Sequence, residues 1–205
     1  MNIETVIFDI GGVLIDWNPR YLYKKLLQDE NEIEFFLNNI CTLEWNAQQD
    51  AGRPFRDGVA MQQQQYPQYA GLIEAYDRRW EEMLGEPDWE TVKILGEIKQ
   101  SGMPVYALTN WSAEKFPIAK KRYDFINWFD GIIVSGEVGL KKPDLKIFRL
   151  LLEKYQLDAG KTVYLDDVKA NVVAAGQVGL RTIHFQNAAQ LREALRECGI
   201  VSSPA

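Results

Sequence analysis

Cysteine, histidine, long apolar runs and positive charge are all scarce in this 205-residue sequence. The two cysteines, Cys41 and Cys198, lie far apart and form neither a metal-type spacing nor a disulfide framework. They read as unpaired thiols of a reducing, cytoplasmic setting. The one histidine, His184, falls in the last strand-like run and reads as packed or edge-exposed, not as a catalyst. No apolar run approaches the ~18 residues of a membrane span. The N-terminal stretch has no basic segment, and Glu4 and Asp9 interrupt it, so it reads as a strand and not as a signal peptide. With 23 Lys and Arg against 29 Asp and Glu, the net charge is −6. That argues against nucleic acid or an anionic membrane as partner, because both reward basic patches. An anionic small-molecule substrate stays open, provided a cation or a local lysine offsets the charge.

What remains is ordinary globular material, 46% hydrophobic and 25% charged, enough for a real core without staples. The C-terminal part alternates. "MPVYALTN" (103–110), "GIIVS" (131–135), "KTVYLDD" (161–167) and "LRTIHFQ" (180–186) read as strands. Between and before them lie helix-like stretches such as "DWETVKILGEIKQSG", "SAEKFPIAKKRY" with Ser112 as cap, and "DLKIFRLLLEKYQL". With a first strand at 4–9, the pattern predicts an α/β fold: a doubly wound parallel-sheet (Rossmann-like) core. Residues 17–88 break the alternation and read as mostly helical, with Pro19 near a helix start and Gln62 to Gln65 as an exposed helix face. The expected organisation is therefore a core domain at 1–16 and 89–205 with an inserted helical cap domain at 17–88. "DWNP" (16–19) is the exit and "GEPDW" (85–89) the return hinge.

In open parallel sheets ligands bind at the carboxyl ends of the strands, and the polar residues there are informative. The first strand ends on Asp9, the second on Thr109-Asn110 and the fourth on Asp166-Asp167, while Lys142 follows the third in "GLKKPD". Each has a plain alternative: a turn acid, a turn dipeptide, a solvated lysine pair, an N-cap pair. All four in order, each at its own strand end, form the set expected to hold a divalent cation and a phosphoryl group together.

This ordered set resembles the haloacid dehalogenase superfamily of hydrolases. "FDIGGVLID" is similar to its first motif, "LTNWS" to its second, "KKPDLKIF" to its third and "YLDDVKAN" to its fourth. The resemblance covers the whole chain, and the insert matches the family's helical cap. It implies that Asp9 is the nucleophile of an aspartyl-phosphate intermediate, with Thr109 and the Asn110 backbone on the phosphoryl oxygens. Lys142 would neutralise charge. Asp9, Asp167 and the carbonyl of Gly11 would ligate Mg²⁺, with Asp166 and Asn171 behind them. The substrate would be a small phosphorylated metabolite, such as a sugar phosphate. Physics supports these roles, since a carboxylate attacking a dianion needs cations to suppress the repulsion.

The sequence departs from the family's usual phosphatase pattern at Gly11, where many relatives carry the aspartate that serves as general acid and base. Three readings follow. The leaving group needs little protonation, as with an anomeric or acyl phosphate; or another acid, Asp16 or Asp166, stands in; or the protein is a weakly active phosphate-binding or regulatory one. A 2-haloacid dehalogenase is the alternative activity, but a metal-free site should not place two acids beside its nucleophile. Specificity is expected from the insert, where Trp17, Arg20, Trp45 and Arg53 are candidates to face the cleft, with Trp111 a candidate from the core; taken singly each has a stronger plain reading, Trp45 as core of the insert and Arg20 as a solvated helix residue.

Overall fold

β1 (Thr5–Phe8) is buried at every position, as a strand covered on both faces must be. The computed structural model describes residues 2–201. In it, β1 is followed by β2 (Ile15–Trp17), β3 (Leu84–Pro87), β4 (Val105–Thr109), β5 (Gly131–Val134), β6 (Thr162–Asp166) and β7 (Arg181–His184). Five of these form one parallel sheet in the order β5-β4-β1-β6-β7. Strand order reverses at β1, so a crevice opens beyond its carboxyl end, between β4 and β6.

Alternate side chains of each strand feed two apolar layers. Ile7, Leu108, Ile133 and Tyr164 pack with Ile147, Phe148 and Ala175 from the helices Leu145–Tyr155 and Lys169–Gln177. Val6, Phe8, Val105 and Leu165 belong to the other layer, with Val92, Leu95 and Leu191 from Trp89–Gln100 and Ala188–Glu197. Each Val, Leu, Ile or Phe among them contributes about 1.5–3 kcal/mol on burial. The helix starts are capped by short acids: Asp88 accepts from the Glu90 and Thr91 amides, and Asp144 from that of Lys146.

Five α-helices lie between β2 and β3: Arg20–Tyr23, Glu30–Asn39, Leu43–Asp50, Phe55–Gln65 and Ala70–Arg78. Tyr23, Phe36, Trp45, Phe55 and Tyr76 form their aromatic core. Core contacts tie this insert over the crevice. The Phe55 amide donates to Glu114 Oε1 (3.1 Å), and buried Lys115 pairs with Asp77 while its Nζ lies 4.6 Å over the Phe55 ring.

Three local expectations need correction. The exit and return segments are not a bare hinge, because β2 and β3 pair antiparallel, Trp17 opposite Leu84. Strands of three and four residues, one carrying Gly85 and Pro87, are too short to show alternation. The helix expected from Ser112 begins only at Phe116, with Pro117 in its first turn. Ser112 Oγ instead accepts the Glu114 amide in a preceding turn. The glutamine run is more than an exposed face, since Gln62 donates to the Ile40 carbonyl and Gln63 to that of Ala70.

Candidate active site

Asp9 follows β1 directly. Its amide donates to the Leu165 carbonyl (2.9 Å), which locks the nucleophile candidate to β6. Its carboxylate is buried, accepts the Ile10 amide on Oδ1 (2.7 Å) and meets Lys142 Nζ on Oδ2 (2.8 Å). Burial, with Asp166 and Asp167 adding to it, pushes the Asp9 carboxyl up to about 7 against the pull of Lys142.

Lys142 is fully enclosed. Its ammonium reaches Asp9, Asp166 Oδ2 (2.7 Å) and the Leu108 carbonyl (2.9 Å), so all three donor directions are used. Asn110 fixes it from behind: Nδ2 donates to the Lys142 carbonyl (3.0 Å) and Oδ1 accepts its amide (2.9 Å). Asp166, the last residue of β6, is saturated by Lys142, the Tyr164 hydroxyl, the Val168 amide (2.8 Å) and Asn171 Nδ2 (3.0 Å). Burial works against its ionisation, yet Lys142 and these donors hold the carboxyl below its ordinary range. Asn171 thus spends its amide on Asp166 while lining the cavity.

Asp167 is the exposed member of the pair, its carboxyl raised by burial and by Asp166. His184 lies outside the crevice, exposed, with Nε2 3.0 Å from the Asp167 carbonyl. Asp9, Asp166 and Asp167 bring ligand oxygens within 4.8 Å of one another. One lysine cannot neutralise three carboxylates, and oxygen donors this close suit a hard divalent cation such as Mg²⁺. The Thr109 hydroxyl, at the end of β4, is buried without a hydrogen-bond partner. A buried orphan donor is costly unless a ligand supplies the acceptor.

The two glycines after Asp9 differ. A Cβ at Gly11 would meet only Trp111, at 3.8 Å, so a side chain there is sterically open. Gly12 has φ +75°, and a Cβ there would sit 2.4 Å from Asp167 Oδ2. Gly12→Ala is therefore expected to cost ~1–3 kcal/mol in backbone strain. It should also displace the Asp167 carboxylate, lowering Mg²⁺ affinity in a titration calorimeter, whereas Gly11→Ala should leave affinity within about twofold of wild type (a change of under ~0.5 kcal/mol, as for a substitution that disturbs no contact).

A cavity of about 400 Å³ joins these groups to the insert, with Trp17, Trp80 and Trp111 among its walls and Asn46 and Asp50 at the insert side. Trp17 and Trp111 bury indole N–H groups without partners. Of the expected specificity residues, Trp17 and Trp111 reach the cavity. Trp45 is core, edge-on to Tyr76, and Arg53 lies over its ring. Arg20 is bound to Glu30 and Glu34. Asp16 is not brought to the site. β2 alternates buried Ile15, exposed Asp16 and half-buried Trp17, so Trp17 turns inward and Asp16 outward to take the Tyr21 hydroxyl.

Sequence reasoning missed Trp80, Asn46 and Asp50. Asp50 ends the helix Leu43–Asp50 in "QQDAGR", which reads as a solvated helix end. Here it is drawn in by its own backbone. Ser135 Oγ donates to the Asp50 carbonyl (2.5 Å) and accepts the Trp111 amide (2.9 Å). Gly52 (φ +104°) packs on Gly136, where a Cβ would clash with Ala113 N at 2.5 Å.

A strand-end aspartate, a buried lysine, an unpartnered threonine hydroxyl and an acid cluster thus gather at one end of the parallel sheet, beside a helical insert. Residues 3–179 match the family model of haloacid dehalogenase-like hydrolases, and the chain belongs to that family. It is 31% identical over 182 residues to the sesquiterpene phosphatase of Aspergillus oryzae, covering 89% of each chain. It is 24% identical to the phosphorylated carbohydrates phosphatase of Thermotoga maritima, covering 89% of this chain and 84% of that one. Among solved structures, a family enzyme of Bacteroides thetaiotaomicron in complex with magnesium and inorganic phosphate superposes with a TM-score of 0.67 at 22% identity, covering 91% of this chain and 96% of that one.

Proposed function

We propose that this hydrolase is a Mg²⁺-dependent phosphatase of a small phosphate monoester, working through an aspartyl-phosphate on Asp9. The carrying observation is the Asp9–Lys142 pair lining one cavity with Asp167 of the acid cluster, with the unpartnered Thr109 hydroxyl at the end of the neighbouring strand β4. Asp9 bonds to phosphorus as the ester P–O bond breaks. Thr109 donates to a phosphoryl oxygen, giving its proton an acceptor only when substrate is bound. Lys142 holds Asp9 in line and offsets charge while Asp166 keeps Lys142 in place. Asp9, Asp167 and the Gly11 carbonyl would hold Mg²⁺, which supplies further neutralisation of the phosphoryl charge when bound. The same acid cluster disfavours the dehalogenase alternative, for which these charges would be uncompensated.

The substrate best matched by the cavity is a sugar phosphate. Flat indole faces suit a sugar ring, and the polar side chains of Asn46 and Asp50 on the cavity wall suit its hydroxyls. A second reading, an apolar terpenyl phosphate, is favoured by the tryptophan walls together with the likeness to the sesquiterpene phosphatase. A phosphate-release screen over sugar phosphates, acyl phosphates and farnesyl phosphate separates the two. Chelation with EDTA is expected to cut release by at least ~10²-fold, with recovery on adding Mg²⁺. Release that persists in EDTA would contradict the cation's role.

A further inference from the structure

We propose that Asp50, carried in from the helical insert, is the general acid and base that Gly11 does not supply. The inference rests on the phosphatase reading. Among the described residues that line the cavity, the carboxyl groups are those of Asp9, Asp50 and Asp167. Asp9 and Asp167 belong to the acid cluster, Asp166 is saturated and held ionised, and Asp16 faces away. Of these, Asp50 alone lies outside the cluster, on the part of the cavity wall that the insert supplies.

Its surroundings suit proton transfer. Burial raises the Asp50 carboxyl to about 7, with Lys141 and the Ser112 amide pulling the other way. The facing groups are few: Asn46 Nδ2 donates to Oδ2 (2.9 Å), the Ser112 amide donates from the core turn, and buried Tyr76 lies behind Asn46, its hydroxyl 3.2 Å from Asn46 Oδ1. Among the described residues no salt bridge fixes its charge, so near neutral pH it can both give and take a proton. The backbone is held by Ser135 and by the Gly52–Gly136 packing, and the carboxyl is thereby placed over the crevice whenever the insert is docked.

The proton balance closes. As Asp9 bonds to phosphorus and the ester P–O bond breaks, the leaving oxygen takes the Asp50 proton and departs as an alcohol. Water then attacks the aspartyl-phosphate, gives a proton to the Asp50 carboxylate and releases phosphate, restoring Asp9 and protonated Asp50. The leaving group therefore need not be acidic, and an anomeric or acyl phosphate is not required.

The test uses Asp50→Asn and Asp50→Glu with p-nitrophenyl phosphate and Mg²⁺. Its leaving group needs no acid, so Asp50→Asn should give a burst of one nitrophenolate per site, then turn over ~10²–10⁴-fold slower than wild type. Acid-quenched Asp50→Asn should carry phosphate on Asp9. Wild-type steady-state turnover should fall as the pH drops through about 7. Read in kcat at saturating substrate, where Asp9 is held as the acyl phosphate and does not titrate, that limb should vanish in Asp50→Asn and return in Asp50→Glu. Turnover of Asp50→Asn within threefold of wild type overturns the proposal. So does loss of the burst in a variant with wild-type melting temperature. An active wild type in either case leaves the phosphatase reading intact, whereas a wild type with no Mg²⁺-dependent release overturns both.

Discussion

Asp9→Asn is expected to abolish phosphate release, by at least ~10⁴-fold, while making the metal-free protein more stable. The activity loss follows from the nucleophile's role, since loss of a covalent catalyst forfeits the two-step path. The stability gain follows from the charge arrangement. Asp9 is buried beside Asp166 and Asp167, and those neighbours and burial push its carboxyl up to about 7 despite Lys142. A carboxyl whose native pKa lies above its unfolded value stabilises fully only below the unfolded value, and that contribution is lost as pH rises through the native one. For Asp9 the window runs from the ordinary 3.8 to about 7. Asparagine removes this cost at neutral pH and can still accept the Lys142 hydrogen bond. The melting temperature of metal-free Asp9→Asn should rise by a few degrees at pH 8, about 2–4 °C per kcal/mol, and the difference from wild type should shrink toward pH 4. A fall in melting temperature at pH 8 would show that the cluster is not strained by like charge.

Lys142→Met should destabilise more than any other single change in the site. The lysine carries three acceptors and has almost no exposure. Methionine fills similar volume but leaves Asp9, Asp166 and the Leu108 carbonyl without their donor. Breaking a buried pair from one side costs ~3–5 kcal/mol, much of it for the charge left behind. With two carboxylates stranded, Asp9 is expected to bind its proton more tightly still. The loss in melting temperature should therefore be largest at high pH and partly recovered at low pH or with Mg²⁺, as scanning calorimetry across pH would show. Activity should fall with it, because a protonated Asp9 is no nucleophile. Equal destabilisation at all pH values would mean that lost packing, not stranded charge, dominates.

The core and the grouping of the candidate site residues were legible because each strand of the parallel sheet is a short apolar run followed closely by polar residues. Asp9, Thr109 and Asp166 end or directly follow their strands, and Lys142 lies in the loop between the short helix Ser135–Val138, which follows β5, and Leu145–Tyr155. Parallel topology then forces those ends onto one rim. The insert was legible as helices but not as a wall of the site. Asp50 reads as the polar end of a helix with weak amphipathic pattern, and only the docking of its turn on Ser135 and Gly136 turns it inward. Asp16 is the opposite case. It is close to Asp9 in sequence, but the alternation of a three-residue strand points it away. The second glycine of the first motif also had no reading from sequence, because the need for it arises from the Asp167 carboxylate that crosses its Cα.

The most direct measurement is acid-quench mass spectrometry of the wild-type protein turning over p-nitrophenyl phosphate with Mg²⁺. A phosphoryl group on the peptide that contains Asp9, labile to hydroxylamine and absent from Asp9→Asn, is the predicted result. Steady phosphate release with no label on that peptide, or release by Asp9→Asn at the wild-type rate, would contradict the account.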